Sequence, residues 1–124
     1  DTEIDITAQT GIKSLDVTID CDNLDARELG KMGIPARFDL CNIEGFEDTD
    51  GKMHSAEDVR EKISALGFPI EDAVKDKPSI RLKIDKMFTG LLTGFPGNNN
   101  FILTVTENNG LSTTKTLKYY VPAN

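Results

Sequence analysis

The stretch FILTVTENNGLSTTKTLKYYV, residues 101–121, contains the most regular pattern in the sequence. Apolar and polar residues alternate on both sides of Asn108-Asn109-Gly110, as in two half-buried strands joined by a tight turn. The Asn-Gly pair favours such a turn because both residues tolerate a positive φ. The stretch therefore predicts an antiparallel hairpin. The residues predicted to share its inward face are Phe101, Leu103, Val105, Leu117, Tyr119 and Val121.

Shorter alternating segments precede this hairpin. They cover residues 4–7, 12–21, 37–43 and 80–84. Six or so short strands with turn residues between them, and no repeating strand–helix unit, indicate an antiparallel β-sandwich. The predicted fold class is therefore all-β with short helical inserts, an antiparallel sandwich of about seven strands. The inward residues are expected to include Leu15, Val17, Ile19, Leu82, Leu103 and Leu117.

Three segments between the strands predict helical structure. Ser55 is in position to cap an α-helix, since apolar residues recur at helical spacing over residues 59–66 and Gly67 follows. Asn23 is in position to cap a short helical turn over residues 24–31. A cluster of apolar residues predicts a further turn over residues 87–92. The composition of residues 45–54 and 94–100 predicts loops.

The composition indicates one globular domain over residues 1–124, with a net charge of −7. A chain of this length buries roughly two-thirds of its unfolded surface, which is enough for a core. The acidic balance argues against nucleic acid as a partner, because phosphate binding needs clustered Lys and Arg. No apolar run approaches the roughly 20 residues that cross a bilayer, so no transmembrane segment is predicted.

The two cysteines, Cys21 and Cys41, leave open whether a disulfide forms. The alternation of the second strand directs Cys21 inward. The same alternation in residues 37–43 directs Phe38 and Leu40 inward and Cys41 away from them. Side chains that point apart are poorly placed for a bridge.

Several segments resemble immunoglobulin-like modules of bacterial surface proteins, particularly the surface lipoproteins of the Bacteroidetes. The similar segments are LDVTIDCDN, RFDLCNIEG, LGFP, SIRLKIDKMFTGLL, LTVTENNG and TTKTLKYYV. The resemblance spans most of the chain and implies an immunoglobulin-like domain, part of a longer surface protein. Its expected location is extracellular or on the outer membrane, held by a lipid anchor in a segment that this sequence does not contain.

The resemblance supplies no catalytic residues, so a non-catalytic role as a spacer, adhesion or interaction domain with a protein or glycan partner is expected. A carbohydrate-contacting domain is the first alternative. Its candidate residues are Phe95, with the amides of Asn98, Asn99 and Asn100 beside it on one loop, and Tyr120, which alternation directs outward. The simpler interpretation of Phe95 is a hydrophobic anchor that holds this loop to the core. Aromatic rings stack on sugars, and amides bind hydroxyl groups.

No cofactor is expected, and calcium is the one metal for which the sequence offers candidate ligands. The segment FEDTDGKMHSAE places Asp48, Asp50 and Glu57 at calcium-ligating positions of an EF-hand-like loop, although Phe46 occupies the first ligand position. The simpler interpretation is an acidic turn that precedes a helix N-terminus and complements its dipole. A second acidic group, comprising Asp20, Asp22 and Asp25, is a further calcium candidate at the end of a strand.

A small hydrolase is the remaining alternative. It would have to use His54, the only histidine, with Ser55, Ser64 or a cysteine as the nucleophile. No nucleophile-elbow pattern accompanies His54, and a histidine in a polar loop is typically a solvated residue.

Overall fold

The computed structural model describes residues 3–83 and 95–122, and most of the regular structure is antiparallel β. The strands are β1 (Glu3–Thr7), β2 (Ile12–Cys21), β3 (Arg37–Asp39), β4 (Phe46–Glu47), β5 (Met53–His54), β6 (Ser79–Lys83), β7 (Gly97–Glu107) and β8 (Ser112–Val121). The helices are α1 (Ala26–Lys31), α2 (Ala56–Ala65) and a 3₁₀ turn at Glu71–Ala73. The prediction of an all-β chain with short helical inserts is confirmed. The predicted helical turn at residues 87–92 lies outside the described residues.

The strands form three antiparallel sheets. The largest has the order β3-β2-β7-β8, the second pairs β1 with β6, and the smallest pairs β4 with β5. Residues of the first two sheets belong to one hydrophobic core, which includes Ile4 of β1, Leu82 of β6 and Leu15 of β2. No helix among residues 3–83 and 95–122 is long and apolar enough to cross a membrane.

The core is deep beneath β2 and β7 and shallow beneath β8. Five of the six predicted inward residues, namely Leu15, Val17, Ile19, Leu82 and Leu103, are buried. Leu117 is only partly buried, and β8 contains no buried residue along its ten positions. Neighbouring β7, in contrast, buries Asn99, Phe101, Leu103 and Val105.

The predicted β7–β8 hairpin forms, with a tight turn at Asn108-Asn109-Gly110. Phe101 pairs with Leu117 and Leu103 with Lys115, so the two apolar sets share a face. Gly110 has a positive φ of 93°, whereas Asn109 does not have a positive φ. The loop thus has three residues and ends in a left-handed glycine, which is the second common hairpin geometry.

Helix α2 confirms the sequence prediction, and α1 corrects it. The Ser55 hydroxyl oxygen accepts a hydrogen bond from Asp58 N at 3.1 Å, which caps α2. In α1 the cap is Asp25, whose carboxylate accepts from Glu28 N at 3.0 Å. Asn23 instead donates from its side chain to the carbonyl oxygen of Pro96. The predicted capping residue is therefore wrong because a long-range contact occupies its amide.

The predicted strand over residues 37–43 ends at Asp39. Its carboxylate accepts hydrogen bonds from Leu15 N at 3.0 Å and Cys41 N at 2.9 Å, which turns the chain. Leu40 and Cys41 are consequently both buried, so the outward orientation predicted for Cys41 is wrong. Residues 45–54, predicted as a loop, contain the β4–β5 hairpin. Likewise, Gly97–Asn100 belong to β7 and not to a loop.

Candidate functional site

The beginning of β7 is fixed against the end of β2 by backbone and carboxylate contacts. Asn98 N donates to the Asp22 carboxylate and Asp22 N donates to the Asn98 carbonyl, both at 2.9 Å. Gly97 has φ +107°, and a Cβ there would lie 2.9 Å from Asp22 Oδ2. A glycine at residue 97 therefore meets both a conformational and a steric requirement. These contacts set which side chains of β7 face outward.

Four polar or aromatic side chains meet on the outward face at this end of the four-stranded sheet. We call Asp20, Asn98, Asn100 and Tyr120 the outer patch. Asn98 pairs directly with Tyr120, and Asn100 pairs with Asp20 on its other side. Directly opposite residues in an antiparallel sheet have Cβ atoms about 5 Å apart on the same face. The four side chains thus form one continuous surface.

The outer patch combines an exposed ring with hydrogen-bonding groups. Tyr120 is 66% exposed, so a face or an edge of its ring is open to contact. The amides of Asn98 and Asn100 offer both donors and acceptors, and the Asp20 carboxylate offers acceptors. Lys118 lies opposite Asn100 and adds a cation at the edge of the patch. Such a surface can stack on an apolar plane and bind hydroxyl or amide groups around it.

The structure brings together three of the five residues predicted for ligand contact. Asn98, Asn100 and Tyr120 belong to the outer patch. Asn99 alternates to the inward face and is fully buried, so it does not join them. Phe95 is partly buried and packs against the core, in agreement with the alternative that it anchors the loop, so it does not belong to the outer patch.

The buried amide of Asn99 is incompletely satisfied. Its Nδ2 donates over long distances to Phe95 O at 3.4 Å and Gly97 O at 3.3 Å. Its Oδ1 is buried and has no hydrogen-bond partner in the described part of the chain. A buried acceptor without a partner costs stability. The residue holds the turn before β7 but contributes no surface chemistry.

A second cluster lies in the β4–β5 hairpin and links Asp48 to His54. His54 Nε2 donates to Asp48 Oδ2 at 2.8 Å, and both side chains are largely buried. The Phe46 ring stacks on the His54 ring with centroids 4.7 Å apart. Asp48 Oδ1 also accepts from the backbone N–H groups of Asp50 and Lys52, each at 2.9 Å. These hydrogen bonds, with that from His54 as the largest cause, lower the pKa of the Asp48 carboxyl below its ordinary 3.8.

The predicted calcium ligands are not gathered into a site. Asp48 already accepts three hydrogen bonds, Asp50 lies 3.7 Å from Arg27, and Glu57 is in the first turn of α2. Across residues 3–83 and 95–122, no group of three or more His, Cys, Asp or Glu side chains could hold a metal ion. The alternative set of Asp20, Asp22 and Asp25 is likewise not such a group.

Two of the groups named for a hydrolase, Ser55 and His54, are engaged in local hydrogen bonds. The oxygen of Ser55 caps α2, and Ser64 is exposed on that helix. Within the described residues, the hydrogen bonds of His54 include neither a serine hydroxyl nor a cysteine thiol. The Asp48–His54 hydrogen bond therefore connects the two strands of the β4–β5 hairpin, and His54 is not paired with one of these nucleophiles.

Both cysteines are free. Leu40 N donates to Leu15 O, which places Cys41 beside Leu15, six positions along β2 from Cys21. At about 3.3 Å per residue the two are roughly 20 Å apart, far beyond disulfide reach. Burial is the largest cause that raises the pKa of each thiol, to about 11.

Comparisons with known proteins add no assignment. No family model matches the chain, and neither the curated proteins nor the solved structures include a significant match.

Sequence reasoning missed the role of Asp20 and Lys118 beside the predicted contact residues. The signal was present in the hairpin, because pairing about Asn109 assigns Lys118 to Asn100 and Tyr120 to Asn98. The position of Asp20 could not be found in this way, since it depends on the long-range pairing of β2 with β7.

Proposed function

We propose that the chain is a non-catalytic interaction module of a bacterial surface lipoprotein, with an immunoglobulin-like sandwich fold. The strand order supports the fold. β1 and β6 correspond to the adjacent strands B and E of that fold, and β3-β2-β7-β8 correspond to C′-C-F-G. The surface location and the lipid anchor rest on the sequence resemblance.

The outer patch is the observation that carries the proposed role. An exposed tyrosine with amides directly beside it lies on a broad sheet face, and no cavity is needed for a partner to reach it. Tyrosine is enriched at binding surfaces because its rigid ring offers apolar area and a polar end. A partner protein or a glycan contacting this face would bind without any chemical step.

Surface location is tested in the bacterium that encodes the chain. Brief trypsin treatment of intact cells should remove the protein, while a cytoplasmic marker stays intact. If the chain becomes sensitive only after the cells are lysed, the proposed location is wrong.

A glycan is the second candidate ligand, and the pairing of Tyr120 with Asn98 favours it. A panel of soluble oligosaccharides and polysaccharides, followed by calorimetry, tests this proposal. Tyr120→Ala should weaken binding about tenfold, since stacking contributes roughly 0.5–1.5 kcal/mol and the apolar area of the ring adds to it. Tyr119→Ala is the matched control, because the neighbouring tyrosine faces the other side of the sheet. No binding of any sugar at millimolar concentration would reject the glycan and leave a protein partner.

A further inference from the structure

A groove of about 210 Å³ runs between β1 and β8 on the inward side of the four-stranded sheet. Its floor is apolar and consists of Leu15, Leu103 and Val105, while residues 5–7 of β1 form one wall. No residue of β6 lines the groove, so the groove lies on the side of β1 that faces away from its paired strand.

Among the described strands, the wall formed by β1 is an open sheet edge. Within residues 3–83 and 95–122, β1 pairs with β6 alone. In an antiparallel ladder, alternate N–H and C=O groups of an edge strand point away from the sheet. Those groups of β1 are thus directed toward the groove, where a further strand could accept and donate hydrogen bonds.

The opposite wall is formed by Thr113 and Lys115 of β8. They lie across from Val105 and Leu103, respectively, on the inward face of the hairpin, yet both are exposed. The exposure of β8 has a simple cause. Among the described residues, the sheet of β1 and β6 has two strands and the other sheet has four, so neither of these two strands lies over β8.

The charge of this wall defines what fits the groove. Two charged residues line the groove, Asp5 and Lys115. Asp5 is paired with Arg81 at 2.8 Å, whereas Lys115 forms no ion pair with any described residue. Strand β8 carries two lysines and no acidic residue, in a chain whose net charge is −7. An ammonium group beside an apolar floor is matched by a carboxylate flanked by apolar side chains.

We propose that the groove receives an extended strand of a partner protein, which pairs with the open edge of β1 and directs an acidic side chain toward Lys115. Main-chain hydrogen bonds along β1 supply the attachment, as in other cases of strand addition. The inward side chains of the incoming strand alternate with outward ones. The apolar inward side chains cover Leu15, Leu103 and Val105, and the carboxylate meets Lys115.

A second copy of the chain does not match this groove as well. The β1 strand of another copy would bring Ile4 and Ile6 inward but no carboxylate. Its outward residues Glu3 and Asp5 would lie beside the same acidic residues of the first copy, and like charges in opposite strands repel.

Two capped heptapeptides test the proposal, TVTETVT and TVTKTVT, titrated into the ¹⁵N-labelled full chain and followed by NMR. The first peptide should shift the amide signals of β1 and of residues 113–117, and slow the hydrogen exchange of β1 amides. It should bind about two- to tenfold more tightly than the second, because the charge facing Lys115 is reversed. Lys115→Glu should reverse this preference, whereas Thr116→Glu, on the outward face of β8, should leave it unchanged.

Several outcomes would overturn the proposal. These are no shift in β1 at millimolar peptide, equal affinity for the two peptides in the parent chain, or protection confined to the free edge of β8. A dimer of the chain in analytical ultracentrifugation, with its contacts at β1, would overturn it as well. Both exposed substitutions leave the core intact, so unchanged melting temperatures will show that a lost preference is not due to unfolding.

Discussion

A matched pair of leucine truncations measures how well β8 is covered. Leu103 and Leu117 have the same side chain, lie on the same inward face and belong to neighbouring strands. Leu103 is 2% exposed, whereas Leu117 on β8 is only partly buried. Leu103→Ala and Leu117→Ala should therefore differ in their cost to the free energy of unfolding, and the difference reports the depth of the core at each strand.

The expected magnitudes follow from burial and cavity formation. Leu103→Ala removes three carbons from a closed environment and leaves a cavity, so it should cost about 3 kcal/mol, within the usual 2–5. Leu117→Ala opens onto solvent and leaves no closed cavity. Only the lost transfer free energy of its covered part remains, about 1 kcal/mol. The two variants should then differ by about 2 kcal/mol.

Urea unfolding followed by circular dichroism gives the comparison. With a slope of about 1.5 kcal/mol per molar urea, the midpoint should fall by roughly 2 M for Leu103→Ala and 0.7 M for Leu117→Ala. The slopes of the variants must match that of the parent chain for these shifts to be read as stabilities. Equal losses of stability would mean that β8 is covered as deeply as β7, which would refute the open groove.

Three further measurements follow from the structure. Because the pKa of Asp48 is lowered in the folded chain, its ionised form stabilises the fold above the ordinary carboxyl value of 3.8, and this contribution is lost as pH falls through the lower folded value. Asp48→Asn should therefore flatten the decline of the urea midpoint between pH 5 and pH 2.5. An unchanged decline would contradict this expectation. The pKa of each thiol is about 11 in the folded chain, against an ordinary 9.0. At pH 8, Cys21 and Cys41 of the folded chain should therefore react with iodoacetamide about a hundredfold more slowly than in the urea-unfolded chain. Rapid alkylation of either cysteine in the folded chain would contradict this expectation. Gly45→Ala should cost about 1–3 kcal/mol in unfolding experiments, because its Cβ would meet the His54 carbonyl oxygen and the main chain of α2; a neutral result would show that the hairpin can move aside.

The parts of the fold set by neighbouring residues could be predicted from the sequence. Alternation identified β2, β7 and β8, and the cap at Ser55 identified α2, because each pattern depends on a few residues within one element. Asn98, Asn100 and Tyr120 were named from the sequence as contact residues, but Asn98 and Asn100 were predicted in a loop. Only the extension of β7 to Gly97 pairs them with β8 and places them on one face with Tyr120.

The remaining features depend on contacts that no local pattern contains. Asn23 failed as a cap because its amide binds Pro96, more than seventy positions away. Cys41 is buried because the Asp39 carboxylate reaches the backbone of β2. The pairing of β1 with β6 and the narrow width of their sheet involve strands far apart in the chain, so the groove could not be predicted.

The length of the three-residue loop at Asn108, Asn109 and Gly110 decides which face of β8 points inward. Removing or adding one residue there would pair each position of β7 with the next one along β8 and rotate that strand by half a turn. Thr114, Thr116 and Lys118 would then face the interior, and Tyr120 would leave the surface that it shares with Asn98. Homologous or engineered chains that keep this architecture should therefore change the length of this loop in steps of two.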